Sequence, residues 1–276
     1  MSVQYQDNNV TVFESVLLQT TSTVVATKEM ILIVDPTWLP DEIHAIQQHV
    51  QSIDNGQEKY LLFTHSDFDH ILGYNAFPEA VTIASRGFVE KTDKQEVIQE
   101  ILQFDDQYYI QRPYLIEYPQ IDTIIDFDNQ TVRAGDTDIS FYLAPGHQAD
   151  GVFAVIQDLG ILIAGDYLSD VEFPFIEHHS KAYEQTLEKL EESVRERRIS
   201  LLIPGHGKAT TDQEEIKDRI EDSKWYIEAC RKEVTGSDSY KVLQAFVDSF
   251  LFSRYLEDMH EANLQQIRQE ENTSSS

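Results

Sequence analysis

The sequence predicts a mixed α/β (α+β) domain followed by a helical C-terminal extension, on three observations. Short apolar runs ended by Gly, Pro or Asp recur through the first 210 residues, as buried strands do. They fall into two successive groups, each followed by an amphipathic helix and a further strand. From Thr211 onward the apolar residues keep helical spacing only. With 276 residues, 41% of them hydrophobic, the chain suits one large domain or one domain with an appendage.

Val10–Leu18 and Thr23–Thr27 read as strands leading into the apolar run Met30–Val34, which ends at Asp35-Pro36. A helix is expected from about Leu39 to Ser52: Pro40 suits its first turn, Asp41 and Glu42 complement its dipole, and Ile43, Ile46 and Val50 share a face. Lys59–Thr64 is a short buried strand that delivers the chain to His65. A strand at Ala80–Ala84, a helix at Lys91–Phe104 and an irregular aromatic stretch, Tyr108–Tyr118, follow. In the second group Ile121–Phe127, Gln130–Ala134 and Ile139–Leu143 read as strands, the last ending at Pro145-Gly-His147. A hairpin around Asp158-Leu159 ends at Gly165-Asp166, and helix Lys181–Arg197 leads to strand Ile199–Ile203, ending at Pro204-Gly-His206. Beyond residue 210, helices are expected at Glu214–Glu233 and, after the break at Gly236-Ser-Asp-Ser, over Tyr240–Arg268. The organisation expected is a domain over 1–210, a helical extension over 211–268 and an unstructured tail over 269–276.

Charge and cysteine content exclude several classes. Lys and Arg total 21 against 49 Asp and Glu, a formal net charge of −28. Nucleic-acid binding needs cations to neutralise phosphates, so no nucleic-acid partner is expected. Cys230 is the one cysteine, which rules out an intrachain disulfide and a cysteine-based zinc site. The polar start, Met1 to Asn9, lacks a signal-peptide pattern, and no run reaches the roughly 18 apolar residues of a membrane span. A cytoplasmic protein with no membrane partner is expected.

The chemistry is concentrated in Thr64-His-Ser-Asp-Phe-Asp-His-Ile-Leu-Gly73, where His65, Asp67, Asp69 and His70 follow directly on an apolar strand. Strand ends present their loops at one sheet edge, so such a loop can converge on a metal. His147, Asp166 and His206 each follow another short strand, beside glycines that permit tight turns. Three further strand ends supplying His, Asp and His turn a polar loop into a candidate ligand set.

In this the chain resembles the metallo-β-lactamase superfamily, whose pattern is an Asp ending an early strand, then His-x-His-x-Asp-His, a His, an Asp and a final His. Asp35, the His65–His70 segment, His147, Asp166 and His206 match in that order, over roughly residues 10 to 210. The resemblance implies a four-layer αβ/βα sandwich and two divalent metal ions, zinc first, with iron or manganese as alternatives. It also implies that His65, position 67 and His147 hold one metal, that Asp69, His70 and His206 hold the other, and that Asp166 bridges. The departure is Asp67, where the pattern has His. It is read first as an oxygen ligand, which favours manganese or iron beside zinc. The other readings are a weakened first site and a non-catalytic scaffold. Diiron flavoproteins that reduce oxygen carry a carboxylate, usually Glu, at that position.

The function expected is a dinuclear metal-dependent hydrolase of a small-molecule ester, lactone, thioester or phosphodiester, acting through a hydroxide held between the metals. Asp69 would orient the nucleophile or shuttle its proton, and Asp35 would support the ligand loop or cap the following helix. A diiron protein binding or reducing oxygen is the runner-up, and a binding module without catalysis the third class. Anionic thioesters fit poorly, because Arg86 and Lys208 are the only basic residues near the motif loops. His44 and His49 are expected at the surface or in packing, and His260 at the surface. The segment bearing His178 and His179 is read first as an ordinary loop and Tyr108, Tyr109 and Tyr114 as core or packing residues, with a pocket wall as the alternative for both. The apolar stripe of the C-terminal helices would pack on the core or form a homodimer.

Overall fold

The structure, a computed structural model, describes residues 1–236 and 240–274. Its first sheet has seven strands in the order of the chain: β1 (Ser2–Gln6), β2 (Val10–Glu14), β3 (Thr21–Ala26), β4 (Met30–Val34), β5 (Glu58–Leu62), β6 (Val81–Ser85) and β7 (Thr123–Ile125). The first four form an antiparallel meander. From β4 to β7 neighbours run parallel, so the connections must cross over. They carry α1 (Pro40–Ile53), the short α2 (Phe68–Ile71), α3 (Arg86–Glu90) and α4 (Lys94–Tyr108).

The second sheet holds β8 (Gln130–Ala134), β9 (Thr137–Leu143), β10 (Val152–Ile156), β11 (Ile161–Gly165) and β12 (Leu201–Pro204), again side by side in chain order. Only the β11–β12 pair is parallel, bridged by α5 (Ser180–Glu196). The chain ends in α6 (Gln213–Val234), α7 (Tyr240–Val247) and α8 (Ser253–Ser274).

The burial pattern explains why these residues make these layers. Met30–Val34 and Val152–Ile156 are buried at every position, which requires cover on both faces. Val12, Leu32 and Leu62 meet Phe141, Ala154 and Ile163 between the sheets. Ile31, Ile33 and Phe63 pack outward on Ile43, Ile46 and Val97, while Phe153, Leu162 and Leu202 pack on Leu187, Leu190, Ile220 and Ile227. Each such side chain, fully buried, contributes about 1.5–3 kcal/mol of transfer free energy. The result is the αβ/βα sandwich.

The ends of β4, β5, β9, β11 and β12 open on one edge, where Val152 N donates to Thr64 O at 2.7 Å and stitches the sheets together. All the candidate ligands leave from this edge. Two differences from the sequence reading stand out. The polar segment at the N-terminus forms edge strand β1, recruited by pairing with β2. Helix α8 runs to Ser274, past Gln269, where composition suggested a tail; residues 275 and 276, and residues 237–239 of the Gly236 break, lie outside the described residues. Among the described residues no helix is long and apolar enough to cross a membrane.

Candidate metal centre

The edge loops bring all seven candidate ligands together in two groups: His65, Asp67, His147 and Asp166, and Asp69, His70 and His206. In the first, His147 Nε2 lies 3.0 Å and His65 Nε2 3.5 Å from Asp67 Oδ2. In the second, Asp69 Oδ2 is 3.5 Å from His70 Nε2 and 3.4 Å from His206 Nε2. Asp166 stands between them: Oδ1 is 3.2 Å from His70 Nε2, and Oδ2 is 3.4–3.5 Å from His65, His147 and His206. Two ligands bonded at about 2.1 Å to one tetrahedral ion stand about 3.4 Å apart, the spacing seen here.

The other ring nitrogen of each imidazole has a partner that aims the ring. His70 Nδ1 donates to Asp35 Oδ2 at 3.1 Å. Thr64 Oγ1 donates to the same oxygen at 2.6 Å and lies 3.0 Å from His65 Nδ1, so Asp35 orients both rings. Its Oδ1 accepts from Thr64 N, and α1 is capped at Leu39, which leaves Asp35 with the supporting role and not the capping one. His147 Nδ1 donates to Phe175 O at 3.0 Å, and His206 Nδ1 to Leu18 O at 3.2 Å. All four rings therefore turn Nε2 to the centre. Nε2 of His65 and His70 and Oδ1 of Asp166 are buried with no hydrogen-bond partner. Buried polar atoms without partners are costly, and a bound divalent cation satisfies this set. Gly205 makes room for it, since a Cβ there would collide with Asp166 Oδ1.

The electrostatics agree. Burial alone would lower the imidazoles, but Asp166, then Asp69, raise His70 to about 10. Burial is likewise outweighed at His65 by Asp166 and Asp67, and at His206 by Glu172 and Asp166; both rise well above the ordinary value. Burial would raise Asp67 and Asp166, yet the facing imidazoles hold both far below the carboxylate range. The centre thus demands positive charge, which protons or metal ions can supply.

Above it lies a cavity of about 370 Å³ lined by Asp67, Asp69, Asp166, His147 and His206. The sequence reading missed most of its walls. They come from Lys91 just before α4, from Glu96 and Glu100 on α4, from the loop after β11 (Glu172, Phe175, Glu177) and from Tyr255 and Met259 of α8. Burial pushes Glu172 up to about 7, against the pull of His206 Nδ1 at 3.7 Å. Neither His178 nor His179 lines the cavity, although their segment does; His179 caps α5. Tyr108 and Tyr109 are exposed and Tyr114 is packed elsewhere. The basic residue at the cavity is Lys91, not Arg86 or Lys208. His49 packs on Phe13 and His44 pairs with Gln48. His260, expected at the surface, is buried, and its Nδ1 bonds Tyr226 Oη at 2.8 Å.

That buried pair belongs to a strap between the C-terminal helices and the centre. Asn263 on α8 is fully buried, accepts from Ile176 N at 2.7 Å and donates to Pro174 O at 2.6 Å. It thereby holds the Phe175 carbonyl that aims His147. Asn263→Ala is expected to weaken metal binding at the His65–Asp67–His147 group about 10–100-fold, the usual effect of losing an outer partner. Competition with a fluorescent chelator measures it, and affinity equal to the parent's would show that the strap leaves His147 alone.

A family model described as the metallo-beta-lactamase superfamily matches residues 16–206. Among solved structures, an archaeal superfamily protein from Sulfolobus tokodaii is 16% identical, with a TM-score of 0.58 over 96% of this chain and 100% of that one. A metallo-beta-lactamase family protein from Thermus thermophilus is 15% identical, with a TM-score of 0.60 over 91% of each chain. The metallo-beta-lactamase from Pontibacter korlensis is 16% identical, with a TM-score of 0.55 over 81% of this chain and 98% of its own. At these identities the likeness is one of fold. No curated protein matches the chain by sequence.

Proposed function

The chain belongs to the metallo-β-lactamase superfamily, and from that premise we propose that it is a dinuclear metal-dependent hydrolase of a small-molecule ester, lactone, thioester or phosphodiester. The observation that carries the reading is the convergence of four imidazoles and three carboxylates, of which the carboxylates, His147 and His206 line one cavity. His65, Asp67 and His147 would hold one ion, Asp69, His70 and His206 the other, with Asp166 shared. Two bound divalent ions supply Lewis-acid polarisation and acidify water at neutral pH. Asp69 Oδ2 faces His70 and His206, which leaves Oδ1 to take the proton of the attacking water and return it to the leaving group. The aromatic and α8 walls limit water around the scissile bond.

One observation favours a second reading. With Asp67, each ion would meet two imidazoles and two carboxylates, a harder donor set than three imidazoles and one compatible with iron or manganese. A diiron protein that binds oxygen fits that set, with its electron donor a separate protein.

Elemental mass spectrometry on protein purified without added metal or chelator separates the readings, together with assays on generic esters. Two zinc or manganese per chain with ester hydrolysis supports the hydrolase. Two iron with visible absorption and no hydrolysis favours the second reading, and metal-free, inactive protein overturns both. Asp67→His is expected to shift metal preference towards zinc, measured by competition between zinc and manganese; an unchanged preference would remove Asp67 from the ligand set.

A further inference from the structure

The cavity carries a charge that the chemistry above does not use. Eight of its 25 lining residues are Asp or Glu and one is Lys or Arg, against 49 and 21 in the 276-residue chain, so the cavity is more acidic than the protein around it. Asp67, Asp69 and Asp166 belong to the metal centre. Asp93, Glu96 and Glu100 at the start of α4, and Glu172 and Glu177 after β11, do not. Lys91 already lies 3.6 Å from Asp93. Among the described residues no ion pair or hydrogen bond is made by the side chains of Glu96 or Glu100. Aromatic rings complete the lining, with Trp38 edge-on to Phe68 at 5.1 Å and Phe175 beside His147 at 5.8 Å. Behind the lining carboxylates Asp67, Asp69 and Asp166, and 3.2–3.5 Å from them, lie the buried Nε2 atoms of His65 and His70, which have no hydrogen-bond partner. The acidic walls therefore enclose a built site.

We infer that this site selects a cationic small molecule, carrying an ammonium or quaternary ammonium group near the bond to be cut, and rejects anionic ones. Two divalent ions less the three ligand carboxylates leave one positive charge and Lys91 adds a second, so the four wall carboxylates other than Glu172, which burial pushes up to about 7, still leave excess negative charge. A cleft with low-dielectric walls focuses that field on whatever enters, and the ring faces add attraction for a cation. A substrate carboxylate or phosphate would find no arginine fork to receive it. The identity of the cut bond rests on the hydrolase reading; the charge preference does not.

The test uses the metal-loaded full chain with choline and its neutral carbon isostere, in which tert-butyl replaces trimethylammonium. Binding is followed by calorimetry, and turnover with the acetate esters of both alcohols. Choline is expected to bind about tenfold more tightly, with the preference fading as salt rises from about 20 mM to about 500 mM. It should fall towards equality in Glu96→Gln/Glu100→Gln and persist in Glu192→Gln, an exposed α5 residue outside the cavity. Equal binding of the two alcohols, measurable binding of neither, or loss of the preference in Glu192→Gln would overturn the inference. Preference for choline with neither ester cut would leave it standing and count against carboxylic-ester hydrolysis. A neutral ester cut as fast as the choline ester, with no binding preference, would do the reverse.

Discussion

Asp166→Ala is expected to empty both halves of the metal centre and lower turnover on the order of 10³-fold or more. Its carboxylate is the one group within 3.5 Å of all four imidazoles, Oδ1 facing His70 and Oδ2 facing the other three. Its removal would take the shared carboxylate from both ligand groups at once and bring four imidazoles together without the charge that balances them. Losing metal forfeits several kcal/mol of transition-state stabilisation, and each roughly 1.4 kcal/mol is tenfold in rate. Asp166→Asn separates charge from shape, since the amide keeps an acceptor oxygen but not the charge. The alanine variant should fold, because the surrounding strands are held by apolar packing on both sides of β11. Elemental analysis with a melting scan is the check: a folded Asp166→Ala chain that keeps both metals would defeat the bridging assignment.

Much of this site was legible because its parts are local. His65, Asp166 and His206 each follow a short apolar strand directly, and β-strand, turn residue and ligand can be read from a handful of neighbours. The two-sheet sandwich follows from the same runs, since segments buried at every position need cover on both faces. What was not legible depends on contacts far apart in sequence. Glu172 and Glu177 lie in a stretch without periodicity, and that loop is placed over His147 by Glu177 N donating to His147 O and by the strap from Asn263, some 87–89 residues away. His260 looked like a surface residue because its helix is polar. It is buried because Tyr226 supplies a hydrogen-bond partner and Phe173 packs beside it. Strand β1 was missed for a related reason: at an exposed edge, backbone pairing with β2 needs little apolar pattern.

Stripping the metals is expected to destabilise the chain, and to do so more as the pH rises. For two sites each saturated at about 100 times Kd, the lost stabilisation is about 5 kcal/mol, or roughly 10–20 °C in melting temperature for a chain of this size. Its pH dependence follows from the imidazoles. In the metal-free fold His70 is raised to about 10, and His65, His147 and His206 are raised as well. A group raised on folding stabilises the fold fully below its unfolded value, about 6.5 for imidazole, and loses that contribution as pH climbs through the folded value. The stripped chain should therefore weaken steadily from pH 6.5 towards pH 10. Asp67 and Asp166, held low by the same imidazoles, act in the opposite direction: their contribution is present above about pH 4 and is lost on acidification. In the loaded chain a cation replaces the Nε2 protons, so metal binding tightens over the range in which the stripped fold weakens. Melting scans at pH 6 and pH 9, with and without chelator, should show the gap widening at the higher pH. Metal added to stripped protein at pH 7 should release protons. A gap that stays constant, or binding without proton release, would mean that the imidazoles do not exchange protons for metal.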